Sequence, residues 1–194
     1  MNFLAHIFLS GSNKEIVIGN FIADPVKGKK YLNFPPGIQK GILLHRAIDS
    51  YTDTHPVVRK SSARLYKNYS HYSPVIVDIF YDHFLAANWA DYSDTSLEIF
   101  IADFYVLLKN NYAVLPQPIQ KLLPYMIEQN WLLSYASLAG IKQILYQMNM
   151  RTKGLSKMDL AINDLKENYS LFEEEFNIFF PDLQDYATQK LNTL

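Results

Sequence analysis

Ser73-Pro-Val-Ile-Val-Asp-Ile-Phe-Tyr-Asp-His-Phe-Leu-Ala-Ala-Asn-Trp89 decides the fold class of this chain. A serine followed by proline suits a helix start, because the serine can cap the first turn and proline has no N–H to lose there. The apolar residues recur at i, i+3 and i+4 rather than alternating, and they cover nearly the whole circumference. The stretch is therefore read as a helix buried on almost every side. Its wheel nevertheless sets Asp78 and Asp82 beside Val75, Ile79, Ala86 and Trp89, with His83 about 100° away.

Working outward, the same periodicity predicts helices over residues 2–9, 14–24, 36–52, 56–69, 95–112, 118–133, 138–151, 156–179 and 181–194. The proline-bearing starts at Pro36, Pro56 and Pro118 favour these boundaries, and Pro124 is expected to kink or shorten its helix. No stretch reads as a strand. With 194 residues, 49% of them hydrophobic, the chain can bury one substantial core, and no repeat or low-complexity linker marks a second. The expectation is an all-α, single-domain helical bundle.

Polar residues on apolar helix faces carry the functional signal. On the helix from residue 36, His45, Asp49 and Thr52 lie on the side of Ile38, Gly41 and Ile42. Asn20 and Asp24 repeat the i, i+4 pattern beside Val17 and Phe21, and so do Asn2 and His6 in the first segment. An ionised carboxylate buried without a partner costs several kcal/mol, so Asp24, Asp49, Asp78 and Asp82 all need compensation. Hydrogen-bonded core links, or pairing with Arg46, would satisfy one of them. Four such pairs within 83 residues instead favour a shared divalent cation. Imidazole and carboxylate ligands without sulfur suit manganese, iron or zinc at catalytic sites, and metal-assisted hydrolysis is the matching reaction class. His71, in a polar turn, His55, before Pro56, and the run Glu173-Glu174-Glu175 are read as structural or solvated.

The charge balance excludes some partners. Formal net charge is −1, which does not mark a nucleic-acid binder, and cysteine is absent, which rules out disulfides and thiolate chemistry. The N-terminal stretch lacks a signal-peptide pattern and no run reaches the roughly 18 apolar residues of a membrane span, so a cytoplasmic location is expected. Nine of the 18 Lys and Arg residues fall within residues 27–67. That segment, including Arg59, Lys60 and Arg64, is expected to attract phosphate or an acidic protein.

Together these residues resemble the acyl carrier protein phosphodiesterases. The matching stretches are Met1-Asn-Phe-Leu-Ala-His6, Gly19-Asn-Phe-Ile-Ala-Asp24, Phe34-Pro-Pro36 with Gly41-Ile42, His45-Arg46-Ala-Ile-Asp49, Thr52-Asp53 with His55-Pro56, and Tyr81-Asp-His-Phe-Leu85 with Trp89. The resemblance implies hydrolysis of the phosphodiester that joins 4′-phosphopantetheine to serine of holo-acyl carrier protein. It implies a divalent cation as cofactor, typically manganese, with Fe2+, Mg2+ or Zn2+ as alternatives. It also implies a fold like that of the HD phosphohydrolases, from whose pattern this chain departs: Arg46 follows His45, and the doublet is reversed as Asp82-His83. Carried over by position, Asp24, His45, Asp82 and His83 are expected ligands, with His6, Asp49 and Asp78 as further ligands or orienting groups. Arg46 is expected to steady the phosphoryl charge. A nucleotide phosphohydrolase and a non-catalytic module binding an acidic protein are the competing readings.

Overall fold

The computed structural model describes all 194 residues. It contains eleven α-helices and no strand: α1 (Phe3–Phe8), α2 (Lys14–Phe21), α3 (Pro36–Thr54), α4 (Pro56–Tyr69), α5 (Ser73–Ala87), α6 (Leu97–Asn110), α7 (Gln117–Glu128), α8 (Trp131–Ser134), α9 (Leu138–Arg151), α10 (Ala161–Glu167) and α11 (Tyr169–Thr193). The all-α expectation holds. Prolines open α3, α4, α5 and α7 in their first turns, where the missing N–H costs nothing. Asn13, Ser96 and Ser137 cap α2, α6 and α9 through their side-chain oxygens.

One cluster of 49 buried apolar residues runs from Met1 to Ala187, so every long helix contributes to the same core. At its centre α5 packs against α11, with Phe80 on Phe172 (5.2 Å between ring centroids), Tyr81 on Phe176 (5.7 Å) and Phe84 on Phe176 (5.9 Å). Such tilted and edge-on pairs are favourable beyond the area they bury.

The contact that matters most for the site is between α2 and α3. A Cβ on Gly19 would lie 2.1 Å from the carbonyl oxygen of Ile38, and one on Gly41 would lie 2.2 Å from that of Ile16. Only glycine allows backbones this close. The crossing brings the C-terminal end of α2, with Asn20 and the following Asp24, alongside His45 of α3.

Three boundaries differ from the periodicity. α2 ends at Phe21, so Asp24 stands in a turn rather than on a helix. The segment 118–133 divides at Asn130, which adopts a left-handed conformation, while Pro124 stays inside α7. The break expected before Pro181 occurs instead at Asn168, and Pro181 lies within α11. Phe179 and Phe180 before that proline, and Leu183 and Ala187 after it, are all buried. Burial on both sides holds the helix through the lost hydrogen bond, which propensity alone does not foresee.

Candidate metal centre

His6 of α1, His45 and Asp49 of α3 and Asp24 after α2 converge on one wall of a cavity of about 420 Å³. The His6 and His45 rings stack with centroids 4.0 Å apart. Asp49 Oδ1 lies 3.2 Å from His6 Nε2 and Oδ2 lies 3.1 Å from His45 Nε2, while Asp24 Oδ1 lies 3.4 Å from the same His45 atom. One ligand atom from each of His6, His45 and Asp49 lies within 4.8 Å of the other two.

The tautomer of His6 follows from its neighbours. The Asn20 amide donates to the His6 carbonyl (2.8 Å) and to Ser10 Oγ (2.9 Å), which fixes its orientation and leaves Oδ1 to accept from His6 Nδ1 at 2.8 Å. The proton is therefore on Nδ1. Nε2 presents a lone pair into the cluster, is buried, and has no hydrogen-bond partner. A lone pair facing a carboxylate oxygen at 3.2 Å is a repulsive arrangement unless a proton or a metal cation lies between them.

The electrostatics agree. Burial drives His6 down to about 4, against the raising effect of Asp49, so its imidazole is neutral near pH 7. Burial also opposes charge on His45, but its contacts with Asp24 and Asp49 outweigh that and push it up to about 9. Asp49 is held well below the usual carboxylate range, because His45 and His6 more than offset its burial. Asp24 is lowered chiefly by His45. A proton on His45 thus balances two carboxylates in a place where a divalent ion would also serve. The donor set of two imidazoles and carboxylate oxygens fits such an ion, and these residues could hold one.

The other residues singled out from the sequence lie elsewhere. Asp82 is fully buried, and its carboxylate accepts the backbone N–H groups of Asn2 (3.2 Å), Leu4 (2.7 Å) and Ala5 (3.3 Å). It anchors the start of α1, where N–H groups lack helical partners. His83 donates from Nδ1 to the Tyr135 carbonyl (2.7 Å) and faces the Tyr169 hydroxyl with Nε2 (3.0 Å). Neither lines the cavity, so the expected grouping of Asp82 and His83 with Asp24 and His45 is not the one the fold makes. Asp78 does line the cavity and pairs with the Met1 amine at 2.9 Å. Arg46 spends its guanidinium on the carbonyls of Val26 and Gly28, both at 2.8 Å, and lies over Tyr31; it is not at the cluster.

The residues expected to dock a partner make contacts within the chain. Arg64 forms a two-pronged pair with Glu175 (2.8 and 2.7 Å), and Lys60 approaches the same carboxylate at 3.3 Å. Glu175 is 3% exposed rather than solvated. Arg59 donates to the Asp53 carbonyl. Sequence reasoning passed over Asn20 as a tautomer-setting group, although its i, i+4 spacing to Asp24 was visible. It also missed the far cavity wall from α8 and α9, which carries no histidine or carboxylate to flag it.

Comparison with known proteins points one way. A family profile described as acyl carrier protein phosphodiesterase matches residues 1–183. Proteins named acyl carrier protein phosphodiesterase from Photorhabdus laumondii and Pectobacterium atrosepticum are 34% and 33% identical to the chain; each alignment covers 98% of this chain, and 96% and 100% of the relative. A protein of the same name from Yersinia pestis is 31% identical over 98% of this chain and 99% of its own length. No solved structure matches, so no structural neighbour supports the expected likeness to the HD phosphohydrolases.

Proposed function

Since the chain belongs to the acyl carrier protein phosphodiesterase family, we propose that it hydrolyses the phosphodiester between 4′-phosphopantetheine and the serine of holo-acyl carrier protein. The products are apo-carrier protein and 4′-phosphopantetheine. The observation that carries the mechanistic reading is the buried, unpartnered His6 Nε2 on the cavity wall, in a group where ligand atoms of His6, His45 and Asp49 lie within 4.8 Å of one another. His6, His45, Asp49 and the adjoining Asp24 would hold a divalent cation, with manganese the expected ion. When bound, it supplies Lewis acidity to the phosphodiester and to the attacking water.

The chain's own residues do the rest. Asn20 keeps the His6 proton on Nδ1, so that Nε2 stays a donor of electrons. Asp49 remains ionised throughout the working range and holds the two imidazoles in register. Asp24, the most exposed carboxylate of the group, closes the cluster on its solvent side, 3.4 Å from His45 Nε2.

Carrier recognition falls to basic side chains that are not already spent. Lys27, Lys29 and Lys30 are exposed on the turn that follows Asp24, and Arg46 pins that turn to α3. They offer a surface for an acidic carrier protein with fewer internal commitments than Lys60 and Arg64. No helix is long and apolar enough to cross a membrane, and an acyl carrier protein as substrate supports a cytoplasmic location. The test is a mass measurement of holo-carrier protein incubated with the purified protein and manganese. Loss of the phosphopantetheine mass supports the reading; an unchanged carrier mass at stoichiometric enzyme refutes it.

A further inference from the structure

The wall opposite the metal centre gives the C-terminal half of the chain a role in the site. Ile144, Gln147, Met148 and Arg151 line the cavity from α9, and their spacing of i, i+3, i+4 and i+7 is that of one helical stripe. Trp131 of α8 adjoins them. Gly140 fixes the placement of this wall, because a Cβ there would lie 1.9 Å from the Ser134 carbonyl oxygen, so only glycine lets α9 begin this close to α8.

Charge makes Arg151 stand out. Asp24, Asp49, Asp53 and Asp78 all line the cavity, and Arg151 is the one lysine or arginine that does. An anion entering such a space is repelled unless positive charge meets it. Arg151 forms no ion pair. Its guanidinium lies 5.8 Å from the Trp131 ring centroid, and Nη1 lies 3.7 Å from Met148 Sδ. An indole face and a thioether orient the planar group while consuming little of its five-donor capacity. The other arginine near the site, Arg46, has its donors engaged by backbone carbonyls.

We infer that Arg151 binds the phosphoryl oxygens of the substrate from the α9 side of the cavity, as the bidentate anion clamp that faces the His6–His45–Asp49 centre. This rests on the phosphodiesterase reading above and adds its substrate-binding residue. A guanidinium fork matches two oxygens of a phosphodiester, whereas a lysine supplies only a point charge.

The experiment titrates the full-length protein, Arg151→Gln and Arg151→Lys with 4′-phosphopantetheine and with inorganic phosphate, following indole emission from Trp131. Manganese binding is measured in parallel by calorimetry, and the KM for holo-carrier protein by mass spectrometry. Arg151 is exposed on the surface of α9, so both variants are expected to fold with unchanged circular dichroism. Arg151→Gln should weaken both phosphorylated probes at least tenfold and raise KM, with manganese affinity unchanged and Arg151→Lys intermediate. Phosphate and 4′-phosphopantetheine bound equally well by Arg151→Gln would overturn the inference, and so would a parallel loss of manganese. If the parent leaves holo-carrier protein intact yet binds phosphate through Arg151, the anion clamp stands and the proposed reaction falls.

Discussion

Replacing Arg64 with alanine is expected to destabilise the fold and not to act on partner docking. Glu175, 3% exposed, accepts both prongs of the Arg64 guanidinium and the Ser61 hydroxyl, and the Arg64 stem covers Phe172 with its guanidinium carbon 4.8 Å from the ring centroid. Removing one partner of a buried ion pair costs about 3–5 kcal/mol, because the surviving charge is left uncompensated. Lys60 remains 3.3 Å from the carboxylate but is 67% exposed, so it offsets part of the loss and about 3 kcal/mol is the expected cost. For a chain of this size each kcal/mol is worth about 2–4 °C in Tm, a fall of about 6–12 °C. The sign with pH follows from Glu175, whose burial raises it but whose contacts with Arg64 and Ser61 hold it below the ordinary value. A carboxylate lowered in the folded state stabilises above its unfolded value of about 4.3 and loses that contribution as pH falls through the folded value. Urea unfolding at pH 7 should therefore separate Arg64→Ala widely from the parent, and the gap should shrink toward pH 3. Lys60→Ala, losing only an exposed partner, should cost less than about 1 kcal/mol. If Arg64→Ala unfolds within about 1 kcal/mol of the parent at pH 7, or if Lys60→Ala costs as much, the buried-pair argument fails.

Asp49→Asn should lower manganese affinity more than about a hundredfold by calorimetry, since even outer partners of metal ligands are worth about 10–100-fold; far-UV circular dichroism should stay unchanged, and retained manganese would remove Asp49 from the ligand set. Gly19→Ala should cost about 1–3 kcal/mol in urea and weaken manganese binding at the same time, because its Cβ would meet the Ile38 carbonyl at 2.1 Å and force α2 away from α3. Parental stability in that variant would show that the crossing has slack.

How far the fold was legible depended on what each signal measures. Apolar spacing and first-turn prolines report local preference, and they placed α3, α4 and α5 within a few residues. Pro181 shows the limit of that information. Its local cost is real, yet α11 continues because Phe179, Phe180, Leu183 and Ala187 are buried on either side of it, and that burial comes from elements distant in sequence, with Tyr51 of α3 and Tyr81 of α5 against Phe179 and Phe8 of α1 against Phe180. Asn130 likewise divides α7 from α8 by adopting a left-handed backbone, which its neighbours do not announce.

The site was legible to the extent that compensation could be anticipated. The helical wheels required partners for Asp49, Asp78 and Asp82, but a wheel gives the face of a residue and not what lies across from it, and Asp24, off the helix with its side chain 65% exposed, was misplaced by it. Asp82 found the N–H groups at the start of α1, Asp78 found an amine, and Glu175, taken for a solvated residue, found Arg64. Each of those is closed by the chain itself. His83 is closed as well, by the Tyr135 carbonyl and the Tyr169 hydroxyl, so the aspartate-histidine doublet that most resembles a metal motif is the one with no valence to spare. At His6 the accounting does not close: Asn20 fixes one nitrogen, and the other points unpartnered at Asp49. Thr52 Oγ1, His55 Nδ1 and His45 Nδ1 are unpartnered as well, and what singles out His6 is that ligand atoms of His45 and Asp49 lie within 4.8 Å of its own, so the candidate centre keeps the expected His45 and His6 and joins them to Asp49 rather than to the α5 doublet.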